Sequence, residues 1–195
     1  MPPIRTVELK HAYRLLNHGP TVLVGSVHAG RSNVMAAAWA MPLDFDTPKI
    51  AVVVDKSTLT RKLIDASGVL SLCVPTVAMK DLVMSAGGMS GKNHPDKLGL
   101  CKISTQAAPQ TGVPLVDGCI ALMECRVLPA TAHVAGPHDL ILAEVIGAWA
   151  DERVFCQGRW HFEKATTELR SLHHVAGGHF YAIGEAVPAS PGAKA

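Results

Sequence analysis

Apolar residues recur along this chain at two spacings, and the changes between them mark its elements. Leu9, Ala12, Tyr13 and Leu16 fall near helical spacing and predict a short amphipathic helix over 7–17, ended by Gly19-Pro20. A β-branched run over 21–27, the turn signal His28-Ala29-Gly30-Arg31 and small side chains over 33–40 predict a hairpin. Residues 50–54 form a continuous apolar strand, after which Leu59, Leu63 and Ala66 mark the inner face of a helix closed by Gly68. Residues 69–74 return to strand. Met79, Leu82 and Val83 predict another short helix, running out into a loop at Gly87-Gly88-Met89-Ser90-Gly91.

The period of two is clearest in the second half. Cys119, Ala121, Met123, Cys125 and Val127 are expected to share one strand face, with Glu124 and Arg126 on the other. Over 140–149, Ile141, Ala143, Val145, Gly147 and Trp149 oppose a face holding Glu144, which predicts a long antiparallel neighbour. Residues 1–185 are thus expected to form one mainly β domain. Residues 186–195, with Pro188, Pro191 and Gly192 and little to bury, are expected to be a flexible tail.

Composition narrows the partners. The chain has 195 residues, 48% of them hydrophobic and only 17% charged, so some apolar surface is expected to close a subunit interface. A net charge of +2, evenly spread, leaves no footprint for nucleic acid or a membrane surface. The longest apolar run, 34–41, stops at Pro42, short of the roughly 18 residues of a spanning helix. The N-terminus lacks the apolar middle of a signal peptide, which predicts a cytoplasmic protein. Five cysteines without a CxxC pair are expected to be mostly buried thiols.

Several chemistries fit poorly. Residues 87–93 are one position short of a nucleotide phosphate loop and carry Asn93 where Ser or Thr would hold magnesium. No GxGxxG follows a strand, and His173-His174 would point to opposite faces of one, so neither a Rossmann fold nor a metal site is expected. No Ser lies in a GxSxG turn, and the cysteines sit in apolar strands that disfavour a thiolate. An anion site remains. A helix starting near Ser57 offers free N–H groups, hydroxyls from Ser57, Thr58 and Thr60, and charge from Lys56, Arg61 and Lys62. A phosphate monoester would suit it, and so would an ordinary N-cap at Ser57 or Thr58 with a solvated basic face.

The order Asn33-x-Met35-Ala36-Ala37-Ala38-Trp39, then Pro42, Pro48 before a valine-rich strand, and Ser57-x-x-Thr60 opening a helix resembles the flavoredoxin and flavin reductase-like family. Residues 90–98, the Glu124-Cys125-Arg126 strand and 138–144 are similar to its later elements, so the resemblance spans roughly residues 15–185. It implies a mainly β Greek-key FMN-binding split barrel of six or seven strands with short flanking helices, closed as a homodimer. It implies that Asn33, Ala36, Ala38 and Trp39 meet the flavin ring region, that Lys56, Ser57 and Thr60 hold its phosphate, and that Ser90, Gly91 and Lys97 come from the following loop. It also places His138 and His174 near the cofactor, reached from either subunit.

The chain departs from the family where Ala36 and Ala38 replace hydroxyl residues, Lys92 an arginine and Leu98 a phenylalanine. The activity implied is that of an NAD(P)H-dependent flavin oxidoreductase using FMN, or FAD, and needing no catalytic side chain of its own. An FMN electron carrier served by a redox partner protein and a non-redox binding module are the alternatives.

Overall fold

One antiparallel sheet takes up most of the polar and apolar alternation of the chain, and its two edges meet where the small-residue run ends. The structure, a computed structural model, describes residues 3–129 and 136–189. The sheet holds β2 (Val22–His28), β3 (Arg31–Ala37), β4 (Ala40–Phe45), β5 (Pro48–Val53), β6 (Val69–Val74), β9 (Ala121–Val127) and β10 (Leu140–Asp151). Their order is β3-β2-β6-β9-β10-β5-β4, and an eighth strand, β1 (Ile4–Thr6), pairs with β10, one more than expected. The edge strands β3 and β4 are consecutive in the chain, joined through Ala38 and Trp39. The barrel's seam therefore lies beside the alanine run.

Inside the barrel, Val22, Val24, Ile50, Leu70, Met123 and Ile141 belong to one core. A second core on the outer face joins Leu23, Val34, Cys73 and Leu122 to α3 (Lys80–Gly88) and to the hairpin of β7 (Thr105–Ala107) and β8 (Pro114–Val116). Helix α2 (Leu59–Ser67) packs on β2, and Gly68 closes it in the left-handed conformation at φ 71°. The remaining elements are α1 (Leu9–Ala12), α4 (Lys97–Leu100), β11 (Phe155–Cys156), β12 (Arg159–Trp160) and the hairpin β13 (Leu172–Ala176) with β14 (His179–Ala182). Among the described residues no helix is long and apolar enough to cross a membrane. Residues 186–189 are exposed and without regular structure, and 190–195 lie outside the described residues.

Several elements differ from the sequence expectation. The first helix is a single turn, Leu9–Ala12, continued as a 3-10 turn. The small-residue strand ends at Ala37 rather than residue 40, and β4 follows in spite of Pro42, because an edge strand tolerates a residue without an N–H. Gly87 and Gly88 form the last turn of α3, not a loop. Cys119 precedes β9 and packs in the outer core, whereas Ala121, Met123 and Cys125 face the barrel interior. A bulge between Val145 and Gly147 switches the phase of β10, so that Ala148 and Ala150 face inward and Trp149 turns outward.

One buried residue makes the fold acid-sensitive. His18 sits among Trp160, Phe162 and His173, with ring centroids 5.3, 5.4 and 5.6 Å away, and neither ring nitrogen has a hydrogen-bond partner. Burial, with a smaller push from His173, lowers its pKa from 6.5 to about 3. The unfolded chain takes up this proton near 6.5 and the folded chain only near 3, so the stabilisation is complete above the first value and lost as pH falls toward the second. Urea unfolding should show a loss of about 2 kcal/mol between about pH 7 and about pH 5 that is absent in His18→Phe. An equal loss in the variant would assign the acid sensitivity elsewhere.

Candidate functional site

The hydroxyl-rich start of α2 and the loop after α3 meet across a cleft of about 200 Å3, lined in part by Asn33, Ser57, Thr60, Ser90, Gly91 and Lys97. Thr58 is the N-cap, its Oγ1 accepting from the Arg61 N–H at 3.1 Å, which leaves the N–H groups of Leu59 and Thr60 without an intrahelical acceptor. The Asn33 amide donates to Thr60 Oγ1 at 2.7 Å and fixes β3 to α2. Gly91 is where the loop crosses this bond. A Cβ there would lie 2.4 Å from Asn33 Oδ1, so only glycine fits. The Ser57 N–H is taken by Asp55 Oδ1 at 2.6 Å, and Ser57's hydrogen bonds hold the Asp55 carboxyl below its usual pKa.

Lys97 is the unusual member of the cleft. It is only 3% exposed, and its ammonium donates to the Ala86 carbonyl at 2.7 Å. No carboxylate among the described residues pairs with it. Burial pushes its pKa down, with the Cys101 thiol acting weakly in the other direction. A buried cation without a counter-ion is unfavourable by several kcal/mol, roughly, and an anion entering the cleft would remove that penalty.

The other positive groups are engaged at the rim or turned away. Lys92 donates to the Ser57 carbonyl, and Arg31 donates to that of Gly91 at 2.9 Å. Arg61 bonds Asp65 at 2.8 Å and the Val54 carbonyl at 2.9 Å.

A second cleft, of about 430 Å3, adjoins the first through Gly87 and Gly88. Ala36, Ala37 and Ala38 line it at the barrel seam, and Phe180 and His174 line it from the β13–β14 hairpin. A Cβ on Gly87 would lie 3.4 Å from that of Ala36, so glycine in the last turn of α3 keeps the passage open. The His174 N–H donates to Thr21 Oγ1 at 2.8 Å, which fastens the hairpin to β2. His174 rests on Phe180 with centroids 5.3 Å apart, while His173 turns to the opposite side against His18. A narrow anion cleft thus opens into a flat apolar one.

Of the residues singled out from the sequence, Asn33, Ser57, Thr60, Ser90, Gly91 and Lys97 line the first cleft, and Ala36, Ala38 and His174 the second. Thr60 is fully buried with its hydroxyl bonded to Asn33, which gives it a positioning place rather than an open one. Trp39, Lys56 and His138 line neither cleft. Trp39 is 74% exposed beyond the seam, and Lys56 reaches away to the Gly136 carbonyl at 3.2 Å, beside His138. The glycine turn of α3 and the roof at Phe180 were not anticipated. The Gly177-Gly178 pair between His174 and Phe180 is a hairpin signal that would have found the roof.

Residues 14–169 match the flavin reductase like domain family. An uncharacterised protein of Escherichia coli strain K12, YddH, is 45% identical over 186 residues, covering 94% of this chain and 96% of its own length. FMN reductase (NADH) RutF of Variovorax paradoxus strain S110 is 27% identical over 164 residues, covering 82% and 87%. The crystal structure of an FMN-binding domain of a flavin reductases-like enzyme from Shewanella baltica OS155 superposes with a TM-score of 0.94 at 48% identity, covering 97% and 98%. The mainly β split barrel with short helices is the fold these comparisons bear out.

Proposed function

We propose, given that this chain belongs to the flavin reductase-like domain family, that it binds FMN across the two clefts and works in the cytoplasm as an NAD(P)H-dependent flavin oxidoreductase. The observation that carries the reading is Lys97, a buried ammonium without a counter-ion, at the end of a cleft that leads to an alanine-lined slot. The residues present fit the group. Gly91 lets the loop close on Asn33 and Leu59, Gly87 leaves the gap to Ala36 open, and the anion cleft of about 200 Å3 suits a terminal phosphate better than the linked phosphates of FAD.

When bound, the flavin supplies the hydride and electron chemistry. Lys97, Ser90 and the first turn of α2 hold the phosphate, and the Asn33–Thr60 bond sets the spacing between strand and helix. Ala36–Ala38 and the Gly87-Gly88 turn present backbone and small side chains to the ring, and Phe180 and His174 shield it from water. Five free cysteines agree with a reducing compartment.

The ring slot borders a stripe of exposed apolar residues, Trp39 just before the edge strand β4 and Met41, Leu43 and Phe45 along it, 74, 56, 48 and 66% exposed. Such a stripe on an unpaired edge supports a homodimer that also covers the slot. Purified protein titrated with FMN and then NADH or NADPH without oxygen should bind the flavin and bleach its visible band. Bleaching by dithionite alone would favour the electron carrier, and failure to bind FMN would reject the reading.

A further inference from the structure

A cavity of about 600 Å3 lies between the β7–β8 hairpin, β9 and β10, and none of its lining residues borders the two clefts above. We propose that it is a second ligand site, for a small organic cation with an apolar body such as an aromatic ammonium.

Leu115 and Leu122 give it an apolar floor, and the Trp149 indole forms a wall. The bulge in β10 puts that indole there. A Cβ on Gly147 would lie 2.7 Å from Trp149 Cη2 and 3.3 Å from Glu124 Oε2, so bare glycine lets the ring edge lie beside the Glu124 carboxylate. Glu124 is fully buried. Its Oε1 accepts from the N–H groups of Gln110 at 3.0 Å and Thr111 at 2.5 Å, and its Oε2 has no partner among the described residues.

At the mouth, Asp117 is held by the Ser104 hydroxyl, which donates to Oδ2 at 2.6 Å, and by its own N–H to the Ser104 carbonyl at 3.0 Å. Oδ1 of Asp117 is left for a ligand. No Lys, Arg or His lines the cavity. One carboxylate at the mouth and an indole wall, in a lining without a cation and with the buried Glu124 behind the indole edge, select for a positive charge carried on an apolar frame.

Calorimetry on the full chain with naphthylmethylammonium and naphthoate tests the site. The cation should bind at least about 10-fold more tightly than the anion, in the range expected for one charge near a carboxylate and an aromatic face. Asp117→Asn should reduce the cation's affinity by about 5-fold and should not weaken the anion's. Ala107→Trp, at the exposed rim, should block the cavity while leaving FMN titration unaffected. The site is refuted if neither probe binds, if the anion binds as well as the cation, or if Ala107→Trp binds the cation as the natural chain does. Asp117→Asn keeps the test decisive should the tryptophan variant not fold.

Discussion

Lys97→Met is expected to weaken FMN binding roughly 100-fold, close to 3 kcal/mol, while making the flavin-free protein more stable by about 1–3 kcal/mol. The opposite signs follow from one fact. The ammonium is buried with the Ala86 carbonyl as its one partner among the described residues, so the empty protein bears a charge without a counter-ion that the phosphate of FMN would neutralise. Methionine fills much the same volume without the charge. Riboflavin, which lacks the phosphate, should lose less than about 3-fold in affinity.

If Lys97 served only to cap the carbonyl end of α3 at Ala86, the variant would be less stable and would lose FMN and riboflavin alike. Fluorescence titration with both flavins and urea midpoints of the flavin-free protein separate the two cases. pH provides an independent check. Because burial lowers the Lys97 pKa below 10.5, the unfolded chain holds the extra proton in the interval between the two values. Flavin-free stability should therefore rise as pH climbs through that interval, and Lys97→Met should abolish the rise. Lys56→Ala, by contrast, removes a side chain tied to the Gly136 carbonyl outside the clefts and should change FMN affinity less than about 2-fold.

Strands β2, β5 and β6 were legible as unbroken apolar or β-branched runs, and β9 and helix α2 because each keeps a single period along its length. The misreadings fall where local geometry changes the period without changing the composition. Trp149 has the right spacing to share a face with Ile141, Ala143 and Val145, and the bulge after Val145 reverses it with no mark except Gly147. Cys119 likewise precedes its strand. Strand β4 was hidden by Pro42 and Pro48, which read as breakers when the strand's place at the edge was unknown.

For the site, residue types carried much: Asn33, Ser57, Thr60, Ser90, Gly91 and Lys97 do line one cleft. Their rank was not legible. Lys56 and Lys97 look alike in sequence, and only the packing of α4 under the loop makes one exposed and the other a buried ammonium.

Gly25→Ala is expected to destabilise the fold by about 4 kcal/mol or more, although Gly25 sits inside an otherwise ordinary β-branched strand. Its Cα is crossed at close range by the β7–β8 hairpin. A Cβ on it would lie 2.3 Å from Ser71 Oγ and 2.4 Å from the Pro114 carbonyl oxygen, and the second of these belongs to backbone that cannot rotate away. Those two atoms are themselves bonded, Ser71 Oγ donating to Pro114 at 2.6 Å in a buried setting. The methyl group would thus force the hairpin off the sheet and break the bond that seats it. Overpacking contributes about 1–3 kcal/mol, and leaving a buried hydroxyl and carbonyl unsatisfied adds about 1–3 kcal/mol for each.

Ser71→Ala alone removes the bond without the clash and should lose only about 1–2 kcal/mol. In the double variant the clash with the hydroxyl is gone, so the combined loss should fall short of the sum of the two by about 1 kcal/mol, measurable as a shift in urea midpoint. A Gly25→Ala loss below about 1 kcal/mol would mean that the hairpin, and with it the Leu115 floor of the second cavity, is not fixed by this contact.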